Sequence, residues 1–442
     1  MEKQFEQEEI RNREKALLVG VDTGEERDFE ASMEELKQLA EACFMEFVGL
    51  VTQKMGYVHQ SLYIGTGKVA EVKAAVEMLD ADVVIFNDAL TPSQIKNLQD
   101  EIRKPVLDRT TLILNIFEMR ARTREAKLQV ETAKLQYLLP RLVGMHEALT
   151  RQGGTSGSMS SRGAGEKKLE LDRRKIEHRI SELRKELEQI SRERETQRKR
   201  RESSRLPLVA LVGYTNAGKS TIMNGLIDEF VKEEEKKVLE KNMLFATLDT
   251  TVRRINTGRN RDFLLTDTVG FIHKLPHTLV KAFRSTLEEV RGADLLIQVV
   301  DYSDPEYQEQ MKTTWDTLKE LDACNIPMIT VLNKVDLAEK VTYPKVTANG
   351  RLYLCARQKE SLHLLVEEVI KRVYADYMEE TFLIPYEEGR IASYLQEHGQ
   401  VLSQEYTENG VKIHVSCHRA DGQKFERYRM NGGSRNGSGT SE

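Results

Sequence analysis

Cysteine is scarce in this 442-residue chain: Cys43, Cys324, Cys355 and Cys417 stand far apart. That scatter fits no metal-ligand spacing and no disulfide framework, so each is read as a reduced thiol and a small core residue. Long hydrophobic runs are missing too. No stretch of 18 apolar residues occurs, so no membrane-spanning helix is expected. The polar start, Met1-Glu-Lys-Gln-Phe-Glu-Gln-Glu-Glu-Ile10, has no apolar leader. A cytoplasmic location is expected, with at most a peripheral association with membrane. Aromatic residues are only 6% of the chain while charged ones are 31%, a balance that suits a helix-rich protein. The net charge of −5 gives no global field that would announce a nucleic-acid partner. The charge is uneven, however: residues 161–205 hold 16 Lys/Arg against 10 Asp/Glu.

What is present is concentrated in the centre. Residues 213–220 read Gly213-Tyr214-Thr215-Asn216-Ala217-Gly218-Lys219-Ser220, followed by Thr221, and the apolar run Leu208–Val212 leads straight into them. Strand, glycine loop and helix in this order make a phosphate-binding P-loop. The glycines let the backbone wrap phosphates with its N–H groups inward, and the following helix adds the positive end of its dipole. Lys219 is expected to reach the β- and γ-phosphates, and the Ser220 hydroxyl to ligate Mg²⁺.

Asp267-Thr268-Val269-Gly270 follows the apolar Phe263–Leu265. There Asp267 is expected to hold the magnesium shell and the Gly270 amide to sense the γ-phosphate. Asn333-Lys334-Val335-Asp336 follows Met328–Leu332. A buried Asp336 carboxylate would accept hydrogen bonds from N1–H and the 2-amino group of guanine, donors that adenine lacks, so the nucleotide is expected to be GTP. Asn333 would brace the loop and the Lys334 stem would cover the base. Cys355-Ala356-Arg357, after Leu352–Leu354, stands where a Ser-Ala-Lys string is usual, with the Ala amide meeting guanine O6. Between P-loop and Asp267, residues 244–254 form a candidate switch in which Thr247, Thr250 or Thr251 would ligate Mg²⁺ with GTP bound. Phe271 stands where a water-orienting Gln is common, so slow intrinsic turnover is expected. Arg253 and Arg254 lie in the switch, but nothing marks either as an arginine finger.

About three domains fit this length. Residues 1–110 alternate strand signals (16–21, 46–51, 82–86, 105–107) with helix signals (30–42, 68–79, 92–102), a small parallel α/β domain. Gly65-Thr-Gly-Lys68 is too short for a P-loop and reads as a loop before a helix. Residues 111–205 form a helical hairpin, with one long helix over 111–142 and another over 166–205. Leu169, Ile176, Ile180, Leu183, Leu187 and Ile190 make a seam, with Leu128, Leu135, Leu138 and Leu142 as its partner. A Gly/Ser-rich tip (151–165) and the basic run Gln197-Arg-Lys-Arg-Arg201 suit RNA phosphates. Residues 206–375 make the doubly wound, mostly parallel sheet of a P-loop GTPase domain, with a helix expected near 278–291. Residues 376–430 make a small α+β domain with a hairpin turn at Thr407-Glu-Asn-Gly410, and 431–442 a disordered tail.

Longer strings carry a family likeness. They are Ala16-Leu-Leu-Val-Gly-Val-Asp22, Tyr63-Ile-Gly-Thr-Gly-Lys68, Leu90-Thr-Pro-Ser-Gln94, Ala121-Arg-Thr-Arg-Glu-Ala-Lys-Leu-Gln-Val-Glu131, Leu135-Gln-Tyr-Leu-Leu-Pro-Arg141, Leu244-Phe245-Ala246-Thr247-Leu248-Asp249 and Asp267-Thr-Val-Gly-Phe271. With these the chain resembles, over nearly its whole length, the HflX family of translational GTPases in the Obg–HflX group. The resemblance implies a monomer that binds the large (50S) ribosomal subunit and its rRNA. It implies a hairpin tip directed toward the peptidyl-transferase region, and a GTP-bound state that splits stalled or heat-damaged ribosomes. It also implies Thr247 as the switch ligand to Mg²⁺, nucleotide contacts along 245–249, and ribosome-stimulated hydrolysis despite the apolar Phe271. Departures are Lys167-Lys168 where the family has Thr-Gln, a longer Ser-rich 155–161, and Cys355 in place of Ser.

Two other functions compete. One is a tRNA- or rRNA-modification or ribosome-assembly GTPase; against the modifying enzyme, no catalytic Cys pair or cofactor motif stands outside the central domain. A GTP-binding sensor without remodelling activity is kept open by Phe271.

Overall fold

The computed structural model describes residues 13–24, 28–152, 159–204, 206–231, 251–258, 261–274, 290–338 and 341–430. The candidate switch segment 244–250, the tip residues 153–158, most of the helix read near 278–291 and the tail 431–442 lie outside the described residues.

The amino-terminal domain is an α/β layer. Its strands are β1 (Lys15–Asp22), β2 (Glu46–Lys54), β3 (Val83–Phe86) and β4 (Val106–Asp108), all parallel in the order β2-β1-β3-β4. β1 and β3 are almost wholly buried, as apolar runs flanked by helices on both sheet faces should be. The helices are α1 (Phe29–Ala42), α2 (Thr66–Leu79), α3 (Pro92–Ile102) and α4 (Arg109–Arg120). Thr91 and Gln94 close a reciprocal capping box at the start of α3, with Pro92 at its first turn. Gly65 precedes α2 as a loop residue, as expected.

The first long helix breaks in two. α4 ends at Ala121, whose backbone is extended, and α5 (Arg124–Gln152) starts afresh with the Thr123 hydroxyl accepting from the Ala126 amide at 3.1 Å. The second arm helix, α6 (Met159–Ser204), begins earlier than expected. The seam is also partly corrected. Ile180 and Leu183 are buried, but Leu138 is 46% exposed, and the inward face of α5 is Ala126, Leu128, Val130 and Ala133. The reason is that the root of α5 packs on the amino-terminal domain as well as on α6. Arg179 of α6 grips Glu131 of α5 through two hydrogen bonds of 2.8 and 3.2 Å.

The central domain is the doubly wound sheet the sequence implies. Its strands are β5 (Leu208–Gly213), β6 (Thr251–Ile255), β7 (Phe263–Asp267), β8 (Leu295–Asp301), β9 (Met328–Asn333), β10 (Lys345–Val346) and β11 (Leu352–Tyr353). They run in the order β10-β11-β9-β8-β5-β7-β6, with β6 and β10 antiparallel at the two edges. β6 takes Thr251, Arg253 and Arg254 out of the loop and into an edge strand, where Arg254 is half of an ion pair with Asp262 at 2.6 Å. Helices α7 (Lys219–Phe230), α8 (Tyr307–Glu320) and α9 (Lys359–Val373) cover the sheet. The carboxyl ends of β5, β7, β8 and β9 converge on one edge, the crevice where such sheets bind ligands.

The last domain pairs β12 (Tyr377–Ile384), β13 (Gln400–Thr407) and β14 (Gly410–His418) antiparallel in the order β12-β14-β13. The helices α10 (Gly389–His398) and α11 (Arg419–Lys424) flank this sheet. The tight turn falls where Asn-Gly predicts it, with Thr407 opposite Gly410.

Candidate active site

The P-loop leaves β5 at Gly213 and enters α7 at Lys219. Gly218 has φ +98, and a Cβ there would lie 2.2 Å from Nδ2 of Asn333, so no other residue fits. Asn333 in turn donates through Nδ2 to the Ala217 carbonyl at 2.9 Å and accepts from the Ala356 amide at 3.0 Å. One buried side chain thus bolts the phosphate loop to the Cys355-Ala-Arg357 turn.

Ser220 Oγ lies 2.8 Å from Asp267 Oδ2. A hydroxyl and a buried carboxylate converging at the loop form a hard-oxygen set, and these two residues fit Mg²⁺. Asp267 also accepts from the Thr268 amide at 3.0 Å, while the Thr268 hydroxyl donates to the Leu211 carbonyl at 2.6 Å. Gly270 presses on the P-loop: a Cβ there would sit 2.8 Å from Thr215 Cα and 3.0 Å from Lys219 Nζ. Phe271 is buried and its backbone zips to the loop, with Thr215 N donating to Phe271 O at 2.8 Å and Phe271 N to Gly213 O at 3.1 Å. Its ring joins the apolar cluster under β5 and β8.

Lys219 is buried and donates to the carbonyls of Gly213 and Tyr214 at 3.0 and 2.7 Å. Burial pushes its ammonium down to about 8, with Asp267 pulling weakly the other way. A polyphosphate beside it restores the proton, so binding above that pH takes one up. Affinity for a nucleoside triphosphate is therefore expected to fall by up to ~10-fold per pH unit above 8. Titration calorimetry in two buffers of different ionisation heat should show proton uptake at about pH 9 and little near pH 7. An affinity flat across that range refutes the assignment.

The Asn333–Asp336 string forms at the end of β9. Lys334 adopts a left-handed backbone (φ +58) and its Nζ meets Asp301 at 2.7 Å, a residue the sequence did not single out. Asp336 sits on a single 3-10 turn (Val335–Leu337) and is exposed, not buried as expected; a short turn at the rim of the sheet leaves it facing the crevice. Cys355 replaces the usual Ser without loss of a donor. Burial pushes its thiol up, the backbone at Arg357 works the other way, and the nearby Asp336 carboxylate adds to the rise, so it stays a neutral S–H.

Residues unsuspected from sequence complete the site from the other domain. The Tyr214 hydroxyl donates to Glu35 of α1 and accepts from the His273 amide at 2.7 Å. Arg109, 2% exposed, also binds Glu35, and donates to the His273 carbonyl at 3.3 Å and Asn87 Oδ1 at 2.9 Å. Lys274 reaches Asp88 at 2.5 Å. A cleft of about 690 Å³ adjoins the loop here, but Glu34, Glu35, Asp304, Glu306 and Glu309 line it. Such a wall, against a single lysine, Lys312, is unfavourable to phosphate.

Comparison with known proteins covers most of the chain. Family models described as "GTP-binding GTPase N-terminal", "GTP-binding GTPase Middle Region" and "50S ribosome-binding GTPase" match residues 30–118, 120–201 and 208–334. The chain is 45% identical to "GTPase HflX" of Caldanaerobacter subterraneus subsp. tengcongensis, covering 93% of each chain. It is 42% identical to "GTPase HflX" of Lacrimispora saccharolytica, covering 91% of this chain and 93% of that one. A solved structure, the SsGBP and GDP complex, is 26% identical over 81% of this chain and 98% of its own, with a TM-score of 0.46.

Proposed function

The chain belongs to the HflX family of GTPases, and we propose that it acts on the large ribosomal subunit. In this reading its GTP-bound state dissociates stalled or stress-damaged ribosomes, and hydrolysis stimulated by the ribosome ends that state. Ser220, Asp267 and Thr247 of the switch would hold Mg²⁺, which supplies charge neutralisation at the γ-phosphate. Lys219 supplies a second positive charge on the phosphates, Gly270 closes on them, and Asn333, Lys334, Asp336 and the Cys355-Ala-Arg357 turn take the guanine. The basic arm meets rRNA.

One observation supports this above the others. The P-loop and the segment after Gly270 are hydrogen-bonded directly to the domain on which the helical arm is mounted. Whatever moves them when the γ-phosphate leaves also moves the footing of the arm.

Sedimentation tests the reading. With a non-hydrolysable GTP analogue the protein should travel with the large subunit and deplete the intact-ribosome peak; with GDP it should do neither. Sedimentation indifferent to nucleotide removes the ribosome reading and leaves a GTPase that acts elsewhere.

A further inference from the structure

Two adjacent residues, Asp108 and Arg109, end β4 and open α4, and they face opposite ways. Arg109 is the amino-terminal domain's grip on the nucleotide site: through Glu35 it holds the Tyr214 hydroxyl, and directly it holds the His273 carbonyl. Asn87 steadies it, itself donating to Ser32 Oγ of α1 at 2.9 Å. Asp108 faces the arm. Its Oδ2 accepts from Arg141 of α5 at 2.7 Å, from the Tyr137 hydroxyl and from the Leu90 amide at 3.1 Å, and its Oδ1 from Thr111 N and Oγ1 at 2.9 and 2.6 Å. Arg141 stacks on Tyr137, 3.6 Å from its centroid, and donates to the Leu90 carbonyl at 2.9 Å.

These contacts are built for rigidity. Asp108 is fully buried, and the guanidinium of Arg141 with the surrounding donors keeps its carboxyl below the usual range although burial works the other way. Every acceptor site of a buried carboxylate is used, and a buried arginine is fixed on three sides. Such a network has discrete arrangements rather than a continuum, which a two-state coupling needs.

Resting on the ribosome-directed reading above, we infer that Glu35, Arg109, Asp108 and Arg141 are positioning residues. They form one line of contacts from the P-loop and the backbone after Gly270 to the root of the arm, two hydrogen-bonded halves joined by the covalent Asp108–Arg109 step, and they transmit the nucleotide state to α5. No member replaces a group that touches phosphate or base; the chain acts through Tyr214 and His273 at one end and α5 at the other.

Hydrogen exchange of the full chain, with GDP and with a non-hydrolysable GTP analogue, tests this. The wild type should show a nucleotide-dependent difference in protection across residues 124–141. Arg141→Gln, which breaks the chain far from the nucleotide, should shrink that difference by about 10-fold, a typical size for coupling between sites. Its affinities for both nucleotides should stay within about twofold, since it leaves the Tyr214 end alone. Arg141→Lys, which keeps the charge but not the forked geometry, should recover part of the difference. Glu35→Gln should shrink it from the other end. A purely structural role predicts something else, faster exchange by the same factor in both nucleotide states, and that result overturns the inference. So does a full difference in Arg141→Gln, or none in the wild type. The ribosome reading fails separately, on wild-type sedimentation, whatever the exchange shows.

Discussion

Replacing Lys219 with alanine is expected to cut GTP turnover by at least ~10²–10³-fold while the fold survives. The argument runs through the cost of keeping this lysine. Its ammonium is fully buried and titrates at about 8 instead of 10.5. Each pKa unit is worth 1.36 kcal/mol, so the protein by itself carries about 3 kcal/mol of unfavourable burial at this one side chain. The two loop carbonyls it touches offset part of that, but no carboxylate closes on it within ion-pair distance among the described residues. A charge kept at such cost is preorganised for an anion: in a site of low dielectric it greets the phosphates with little left to desolvate. Alanine removes the penalty and opens a small cavity, and the two effects oppose each other. Melting is expected to shift by no more than about 4 °C, the equivalent of 1 kcal/mol or so in a domain of this size. Turnover and thermal unfolding of both proteins check this together. Wild-type turnover in the variant would take the P-loop out of the mechanism; lost turnover with a collapsed melting point would make Lys219 structural instead.

What was legible in the sequence was contiguous. Gly213–Ser220, Asp267–Gly270 and Asn333–Asp336 are short strings, each preceded by its own apolar strand, so their meeting at one sheet edge follows from parallel topology. The structure brings them together as read: Ser220 on Asp267, Gly270 on the P-loop, Asn333 on Ala217. What was not legible was assembled over distance. Glu35 meets Arg109 across 74 positions and Tyr214 across 179. Nothing local distinguishes Glu35 from any other glutamate on an amphipathic helix, and Arg109 reads as an ordinary helix-start arginine. The break at Ala121 has a local cause: Thr123 caps a new helix by accepting from the Ala126 amide, inside what periodicity alone joins into one helix. The exposed Leu138 shows why the seam misled. Heptad spacing assumes one partner, whereas the root of α5 has two.

Asp336→Asn should exchange one base for another rather than merely weaken binding. In the proposed reading the carboxylate accepts two hydrogen bonds from guanine, at N1–H and the 2-amino group, and hydrogen bonds to a charged partner contribute roughly 1.5–3 kcal/mol each. Asparagine keeps one acceptor and turns the other into a donor that faces a donor. Because Asp336 stands at an exposed rim, the lower end of that range applies, and guanine affinity should fall by about 10²-fold. The ratio of GTP to ATP binding should fall with it. Xanthine carries an oxygen where guanine carries the 2-amino group, so the new amide has a partner again, and xanthosine triphosphate should bind the variant better than the wild type. That gain separates altered recognition from damage, since a misfolded crevice gains nothing. Titrations with fluorescent GTP, ATP and xanthosine triphosphate measure all of this, and an unchanged preference for guanine in Asp336→Asn would move base reading to another residue.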